Sequence, residues 1–344
     1  MEVTLCQFEQ GEGKKWDAYV HQMPRSSFCH LSIWKYVIEK TYGHKAWYFW
    51  AVENGKVKGI LPLISMETVL FGRSLVSLPF LDEGGVCADD TETTMKLYEA
   101  GRQLGETMGI TTLEFRHRDA SPLALPYHGN KVSVRLPLNT TSTAKWKALN
   151  AKVRNQVRKA TKSGLTVHWE GPDGLREFYE VFAENMRDLG SPVHSQMFFR
   201  MLFQEYGENS SILLVRKDQK VIGGGVCLKF KDMLCIPWAS SLREYRSLCP
   251  NVLMYWEAIQ WGCDNQVAIF DFGRSTKGEG TYKFKMQWDS VEEPLHWQRF
   301  PENVQNGTTQ TEKDKYAWLV SLWAHLPVSV TKIIGPWIRK QVSL

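Results

Sequence analysis

Residues 42–59, YGHKAWYFWAVENGKVKG, return in altered form 164 positions later as residues 206–223, YGENSSILLVRKDQKVIG. Each copy opens with Tyr-Gly and continues into an apolar run of the kind that forms strands. A short turn follows, marked by Asn54-Gly55 in the first copy, and a second apolar run then begins with Lys-Val-x-Gly. The two stretches therefore predict two antiparallel β-hairpins of the same design.

The order of elements after each hairpin is repeated as well. Another strand, a helical stretch and a further strand follow, and the last strand ends in Glu114-Phe115 in the first half and in Asp271-Phe272 in the second. The offset is then 157, so the second copy has lost a few residues. We infer two similar α/β domains, each with helices ahead of an antiparallel hairpin and a helix that crosses over to a further strand.

The overall composition is that of an ordinary folded protein of 344 residues, which is enough for about two domains. Its seven cysteines include no CxxC pair and its nine histidines show no metal-ligand spacing, so reduced thiols and no metal are expected. The first residues do not resemble a secretory leader, and no apolar run suits a bilayer-spanning helix. HExxH, GxSxG, GxGxxG and kinase motifs are absent, which sets several enzyme classes aside. The predicted location is the cytoplasm.

The net charge of +5 is concentrated in one window. Residues 120–169 contain nine Lys and Arg but no Asp or Glu, so the rest of the chain is net acidic. Over residues 145–162 the apolar side chains share one side of a helix, which predicts a single amphipathic helix that ends at Ser163-Gly164. Its basic face is either an ordinary solvated surface or a ridge that binds tRNA phosphates or an anionic substrate. The ridge would consist of Lys152, Arg154, Arg158 and Lys159.

The part of the chain beyond residue 300 divides into two segments. Residues 301–315 are polar and predict a linker. Residues 315–344 are rich in Trp, Leu and Ile and contain no acidic residue, which predicts an amphipathic helical tail. The tail would either cover the core or make peripheral contact with the inner membrane. The predicted domains are thus residues 1–130 and 131–300, followed by the linker and tail over 301–344.

Glycines and basic residues are densest in Ile269–Trp288, IFDFGRSTKGEGTYKFKMQW. A strand is expected to end at Asp271-Phe272 and the chain to break at Gly273, and after a glycine-rich loop the alternation over 282–286 predicts another strand. Glycines let a ligand approach the backbone, and basic side chains beside backbone N–H groups bind anions. The alternative is a solvated hairpin loop in which Asp271 caps the turn.

The stretch DFGRSTKGEGTYKFKMQW (271–288) resembles FemAB-like proteins of the GNAT acyltransferase superfamily, with support from KVRNQVRKATKSGL (152–165), KVIGGGV (220–226) and NVLMYWEAIQWG (251–262). The likeness covers nearly the whole chain and is greatest to the FemAB-like proteins of exosortase (PEP-CTERM) and exopolysaccharide loci. It implies tandem GNAT-like domains, each a mixed, largely antiparallel sheet flanked by helices, of which the second is catalytic.

The resemblance implies transfer of an aminoacyl or acyl group from an activated donor to an amine acceptor in cell-envelope or exopolysaccharide biosynthesis. Such a reaction needs alignment of ester and amine, removal of a proton and stabilisation of an oxyanion. Phe284-Lys285 matches the Phe-Lys pair of Fem enzymes, so Lys285 is expected to stabilise charge, and Asp271 either accepts the proton or orients the loop. The residues expected to bind the donor are Arg246, Arg274, Lys277, Tyr282 and Lys283.

Two departures from related families bear on the donor. Fem enzymes often carry a long helical arm in the second domain, and none is visible here. A CoA-binding GNAT protein has a glycine-containing pyrophosphate loop before its central helix, and the equivalent residues 243–251, REYRSLCPN, contain no glycine. The donor suggested by the resemblance is aminoacyl-tRNA, which makes tRNA a partner, and no cofactor is expected. The alternatives are a CoA- or carrier-protein-dependent N-acyltransferase and a binding protein of envelope biogenesis that has lost catalysis.

Overall fold

A computed structural model describes residues 1–9, 11–69, 72–119, 131–138, 140–300, 318 and 320–343. The linker predicted over 301–315 lies outside these residues. The chain divides into two compact units, which we call the first unit (Met1–Asn130, Pro294–Glu312 and Ile338–Leu344) and the second unit (Lys131–Glu293 and Lys313–Trp337).

Strands and helices follow one another in both halves in the order that the repeat predicts. In chain order the first half contains β1 (Glu2–Leu5), α1 (Glu12–Gln22), α2 (Ile33–Tyr42), β2 (Lys45–Glu53), β3 (Lys56–Thr68), β4 (Gly72–Val76), β5 (Cys87–Ala88), α3 (Thr91–Thr107) and β6 (Thr112–His117). The second half contains β7 (Lys131–Pro137), α4 (Ser142–Ala148), α5 (Ala151–Lys162), β8 (Leu165–Glu170), α6 (Leu175–Asp188), α7 (Gln196–Tyr206), β9 (Ser210–Lys217), β10 (Lys220–Phe230), β11 (Met233–Ser241), α8 (Pro250–Asp264), β12 (Ile269–Thr276), α9 (Gly280–Met286), β13 (Val291–Pro294), β14 (His296–Phe300) and α10 (Val328–Arg339).

The two sheets have the same strand order. The sheet of the first unit runs β1-β2-β3-β4-β6-β14, with short β5 beside β3, and that of the second runs β8-β9-β10-β11-β12-β7, with β13 outside β7. In each sheet a parallel pair, β4 with β6 or β11 with β12, lies between antiparallel neighbours. The sixth strand of the first sheet, β14, comes from the end of the second half, whereas that of the second sheet, β7, opens the second half itself. The predicted fold class, a mixed and largely antiparallel sheet flanked by helices in each repeat, is confirmed.

The two repeated hairpins form and share an irregularity. Asn54 and Gly55 have φ values of 50° and 74°, the left-handed conformation that a two-residue hairpin turn requires. In each hairpin the second strand carries one extra residue, Lys58 in β3 and Ile222 in β10, so both strands bulge at equivalent positions. The repeat seen in the sequence therefore extends to the detail of strand pairing.

Each unit buries its own apolar core against the crossover helix. In the first unit Leu97 of α3 packs with Phe49, Leu61 and Phe115 of the sheet. The second core is larger and surrounds α8, a helix that is apolar on most of its sides and contacts strands β8 to β12 as well as α4 and α5. A helix enclosed in this way needs little polar surface, which explains the run NVLMYWEAI at its start.

The single helix predicted over residues 145–162 is wrong, because the structure has two. The side chain of Asn150 accepts a hydrogen bond from the backbone N–H of Val153 at 2.9 Å, so it caps a new helix, α5. Leu149 remains buried across the break, which is why the apolar stripe runs on without a gap in the sequence. The end of α5 lies where the sequence predicts, at Ser163 and at Gly164, which has φ 76°.

The strand predicted over residues 282–286 is also wrong, since these residues belong to helix α9. Phe284 packs with Tyr255 at 5.5 Å between ring centroids and with Trp288 at 6.4 Å. Five alternating residues fit either structure, and these aromatic contacts favour the helix.

Candidate active site

The parallel strands β11 and β12 separate part-way along the sheet of the second unit. Their pairing covers only three residues of each strand and ends at Cys235 and Asp271, although β11 continues to Ser241 and β12 to Thr276. Beyond that pair, the register does not continue between residues 236–241 and residues 272–276. Every second residue of a strand turns its N–H and C=O toward the same neighbour, so β11 directs backbone N–H and C=O groups into the space where its ladder with β12 has ended.

Both strands bulge at the point of separation. Between Cys235 and Trp238, β11 has one residue more than its partner β10, and this extra length includes Pro237, which has no N–H to pair. Between Asp271 and Arg274, β12 has one residue more than its partner β7. The strand therefore continues past the predicted break at Gly273, and the break is a bulge in which this glycine has φ 72°.

Lys285 fixes the bulge in β12 from helix α9. Its Nζ donates to the carbonyl oxygens of Gly273 at 3.0 Å and of Arg274 at 2.8 Å, and the residue is 9% exposed. Burial of a lysine is costly unless the ammonium group is hydrogen-bonded, and these two carbonyls supply that compensation. The charge predicted at Lys285 thus lies directly beside the strand separation.

Asp271 fixes the same bulge from within β12. Its Oδ1 accepts from the backbone N–H of Gly273 at 2.6 Å and from the hydroxyl of Ser133 at 3.4 Å. Its Oδ2 accepts from Nε of Arg135 at 2.9 Å, and Arg135 also pairs with Glu293 at 2.7 Å. With both oxygens engaged, the geometry favours the orienting role over that of a proton acceptor.

An equivalent acid–arginine pair recurs in the first unit. Glu114 is the last residue of β6 that pairs with β4, as Asp271 is the last of β12 that pairs with β11. Arg299 lies directly opposite Glu114 on the sixth strand, and Arg135 lies directly opposite Asp271. Burial alone would raise the pKa of Glu114, but the guanidinium groups of Arg116 and Arg299 outweigh it and hold that pKa below its usual value. The recurrence shows that this pair belongs to the scaffold of the repeat.

The glycine-rich turn brings Lys277 and Tyr282 to one carboxylate. Both donate to Glu292, Lys277 by an ion pair and Tyr282 through its hydroxyl. The hydrogen bond to Glu292 raises the pKa of Lys277 and of Tyr282, and the same contacts lower the pKa of Glu292. A donor phosphate at Lys277 would have to displace Glu292. Lys283 is exposed on α9.

The start of α8 lies just after β11. A short 3₁₀ turn, Arg243–Leu248, precedes it, and the exposed Arg246 sits in this turn. Cys249 adopts φ 61° and Pro250 occupies the first helical turn, so the helix begins where the sequence predicts. Its N-terminal N–H groups and Arg246 together suit an anionic group.

The basic face of α5 lacks acidic partners. Lys152, Arg158 and Lys159 are exposed, and within the part of the chain that is described none of them forms an ion pair. Arg154 donates to the carbonyl of Lys147 at 2.8 Å and so ties α5 to α4. The amide of Asn150 donates to the carbonyl of Gln287 at 2.6 Å, which joins the start of α5 to the residue after α9.

The structure brings some of the expected residues together and leaves others apart. Asp271 and Lys285 meet at the bulge in β12, and Lys277 meets Tyr282 at Glu292, whereas the contacts of Arg246 and of the α5 ridge do not reach Lys285. Sequence reasoning missed the anchoring residues Arg135, Glu292 and Glu293. The sequence distinguishes these three residues only weakly. Arg135 is one of the basic residues of the window 120–169, and the two glutamates follow the stretch 271–288 that carries the resemblance.

Comparison with known proteins identifies the class of fold. Residues 147–286 match the family described as acetyltransferase (GNAT) domain, so the second unit carries a GNAT domain. Over 93% of its length the chain has the fold of FemX, at 13% identity and a TM-score of 0.68, with 100% of the FemX chain covered.

Two further solved structures have similar folds. L-PGS from Bacillus licheniformis is 11% identical with a TM-score of 0.58, covering 91% of this chain and 97% of that one. A tandem GNAT protein from the clavulanic acid biosynthesis pathway is 11% identical with a TM-score of 0.53, and the match covers 87% of this chain and 97% of that one. No curated protein sequence matches the chain significantly.

The expected GNAT superfamily and the Fem-like fold are thus confirmed, and the exosortase-associated branch stays a prediction. The described residues contain no group of three or more His, Cys, Asp or Glu side chains placed to hold a metal ion. Among the helices described, none is long and apolar enough to cross a bilayer.

Proposed function

We propose that the protein is an N-acyltransferase of Fem type that transfers an aminoacyl group from aminoacyl-tRNA to an amine acceptor in cell-envelope or exopolysaccharide biosynthesis. The observation that carries the proposal is the separation of β11 and β12 between two bulges, with buried Lys285 beside it. A GNAT domain over residues 147–286 supports the acyl-transfer chemistry.

The separation supplies what acyl transfer to an amine needs most. The carbonyl of an acyl ester placed between the strands would lie against those N–H groups of β11 beyond Cys235 that point away from β10, and these could donate to the oxyanion that forms on attack. Because these donors belong to a sheet and are held by bulges, they require little rearrangement during reaction.

Lys285 serves in this scheme as a positioning residue. Its hydrogen bonds to Gly273 and Arg274 fix the backbone of β12, and its positive charge favours negative charge that develops nearby. Asp271 orients the same bulge through Gly273. The amine loses its proton to solvent or to the acceptor's own groups, the C–N bond forms as the ester C–O bond breaks, and the tRNA hydroxyl takes up a proton from solvent as it leaves.

The cationic surfaces of the second unit support a polyanionic donor. Lys152, Arg158 and Lys159 are exposed on α5 without acidic partners in the described chain, and Arg246 is exposed ahead of α8. Several such charges would give binding that weakens steeply with salt, because each phosphate contact releases counterions.

The test is retention of bulk tRNA charged with labelled amino acids on filters over a series of salt concentrations. We expect retention that falls with salt, and the variant Lys152→Ala/Arg158→Ala/Lys159→Ala should lower the log–log slope by roughly two to three, at about 0.7–0.9 for each phosphate that is no longer neutralised. The matched control Lys14→Ala/Lys15→Ala/Lys56→Ala removes the same charge from exposed positions of the first unit and should leave the slope unchanged.

Other outcomes of the binding measurements would change the proposed donor or exclude catalysis. Thermal stabilisation by acetyl-CoA or acyl carrier protein without retention of tRNA would replace the donor by that alternative. A folded protein that binds none of the three would indicate a binding protein without catalysis.

A further inference from the structure

Helix α10 is anchored to the second unit by one face. Thr331 and Gly335 are buried, and a methyl group added at Gly335 would come within 3.1 Å of the backbone nitrogen of Val193. Lys332 forms an ion pair with Glu180 of α6. The helix is therefore held in a fixed orientation with respect to this unit.

The opposite face of α10 is apolar and exposed. Val330, Ile333, Ile334 and Trp337 follow the spacing of one helix face, and Ile333 and Trp337 are 77% and 53% exposed. We call these four residues the apolar stripe. The residues before the helix add further exposed apolar side chains, namely Trp318, Val320 and Leu322. Single exposed apolar residues are common on protein surfaces, but an ordered row of four indicates a docking surface.

The charge of residues 315–344 indicates which kind of partner would bind the apolar stripe. Residues 315–344 contain no Asp or Glu, whereas Lys315, Lys332, Arg339 and Lys340 are basic. A second copy of this segment would add four more basic residues and no acidic residue of its own. A surface that is negatively charged and has an apolar layer beneath it complements the segment better, and an anionic bilayer is such a surface.

The dimensions of α10 fix how it would bind. Twelve residues of helix are roughly 18 Å long, well short of the ~30 Å hydrocarbon core. The helix can therefore lie in the plane of the interface but cannot cross it. Trp337 suits this depth, since its ring is apolar and its N–H can remain hydrogen-bonded to headgroups or water.

We propose that the apolar stripe of α10 docks the protein on anionic lipid bilayers, with the helix parallel to the membrane plane. This attachment is independent of the identity of the acyl donor. It would hold the second unit close to acceptors that are themselves lipid-linked.

The test is flotation of the full chain with two kinds of vesicle, phosphatidylcholine alone and phosphatidylcholine with phosphatidylglycerol. We expect flotation with the anionic vesicles only, weakened by salt. The variant Ile333→Asn/Trp337→Gln should lower the bound fraction at least about tenfold, because it removes much of the apolar area that enters the membrane. Ile333→Trp should strengthen binding.

Val69→Asn/Met95→Gln changes two exposed apolar residues of the first unit and should float like the original chain. Equal flotation of the stripe variant and the original would overturn the proposal. So would sedimentation showing that the original chain dimerises and the stripe variant does not, since the stripe would then be a contact between copies.

Discussion

The two units share a strand order but differ at the point where their parallel strands part. In the first unit the edge of β6 beyond the last pair is occupied by the chain itself, because Ser77 donates to the carbonyl of Glu114 and Gly84 and Gly85 donate to that of Arg116. In the second unit the equivalent edge of β12 carries a bulge, and its register with β11 ends at Asp271.

One pair of residues expresses this difference most clearly. At the repeat offset of 157, Arg116 of the first unit corresponds to Gly273 of the second, although the bulge after Asp271 places Arg274 at the equivalent position of the strand register. The guanidinium of Arg116 is fully buried and donates to Glu114 and to the carbonyls of Leu81 and Ser343. Gly273 has no side chain, and its backbone is held instead by Asp271 and Lys285. The same scaffold thus carries a buried arginine after the acid–arginine pair in one unit and a glycine-containing bulge in the other.

The largest effect is expected from removal of the buried arginine side chain of the first unit. Arg116→Met leaves Glu114 with one guanidinium partner fewer and the carbonyls of Leu81 and Ser343 without this donor, so the free energy of unfolding should fall by about 3–5 kcal/mol in a urea titration. Retention of charged tRNA by the folded variant should not change. In the control Arg73→Met, which breaks an exposed ion pair with Glu67, the loss should stay below about 1 kcal/mol.

A smaller but functionally selective effect is expected at Lys285. Lys285→Met releases the carbonyls of Gly273 and Arg274, so the rate of acyl transfer from charged tRNA to a panel of amines should fall on the order of a hundredfold, as it does when reacting groups are slightly misplaced. The half-exposed Lys217, which pairs with Asp218 in the same unit, provides the control Lys217→Met. Unchanged transfer in Lys285→Met would remove this residue from the site.

The recurring acid–arginine pair can be tested by parallel substitutions. Asp271→Asn and Glu114→Gln each replace a charged partner of an arginine, and each should lower the free energy of unfolding by about 1–3 kcal/mol. If Asp271 only orients the bulge, Asp271→Asn should slow transfer less than about tenfold. A loss of two to four orders of magnitude would instead make it the proton acceptor.

The smallest effect concerns the two glycines with positive φ. Gly273→Ala and Gly55→Ala place a side chain at φ 72° and 74°, and each should cost roughly 1–2 kcal/mol of stability. Only Gly273→Ala should also weaken the binding of charged tRNA, since Gly55 lies in a hairpin turn of the first unit. Equal binding by both variants would mean that the bulge does not shape the site.

The sequence predicts the order of elements well because that order follows from apolar periodicity and from local turns. Asn54-Gly55 and the Lys-Val-x-Gly signal suffice for the hairpins, and the repeated order suffices for two similar sheets. The break between α4 and α5 at Asn150 was not predicted, because the spacing of buried apolar residues continues through Leu149. Helix α9 was predicted as a strand, because its conformation depends on contacts such as that of Phe284 with Tyr255, which is distant in the sequence.

The candidate site was only partly predictable for the same reason. Asp271 and Lys285 stand out within one motif, and the structure joins them through Gly273. The residues that hold Asp271 in place were not predictable in this way. Arg135 is far from Asp271 in the sequence and Glu293 follows the stretch 271–288, and only strand pairing brings them together. That Gly273 marks a bulge rather than a break could be seen only from the register of β12 with β7.

The central claim is that the separated strands of the second unit, and not those of the first, receive the acyl donor. Hydrogen–deuterium exchange with and without charged tRNA tests it directly. The account predicts slower exchange in peptides that cover residues 236–241 and 271–276, with no change over residues 74–85. Protection confined to residues 74–85, or exchange unaltered in both regions despite retained tRNA, would contradict it.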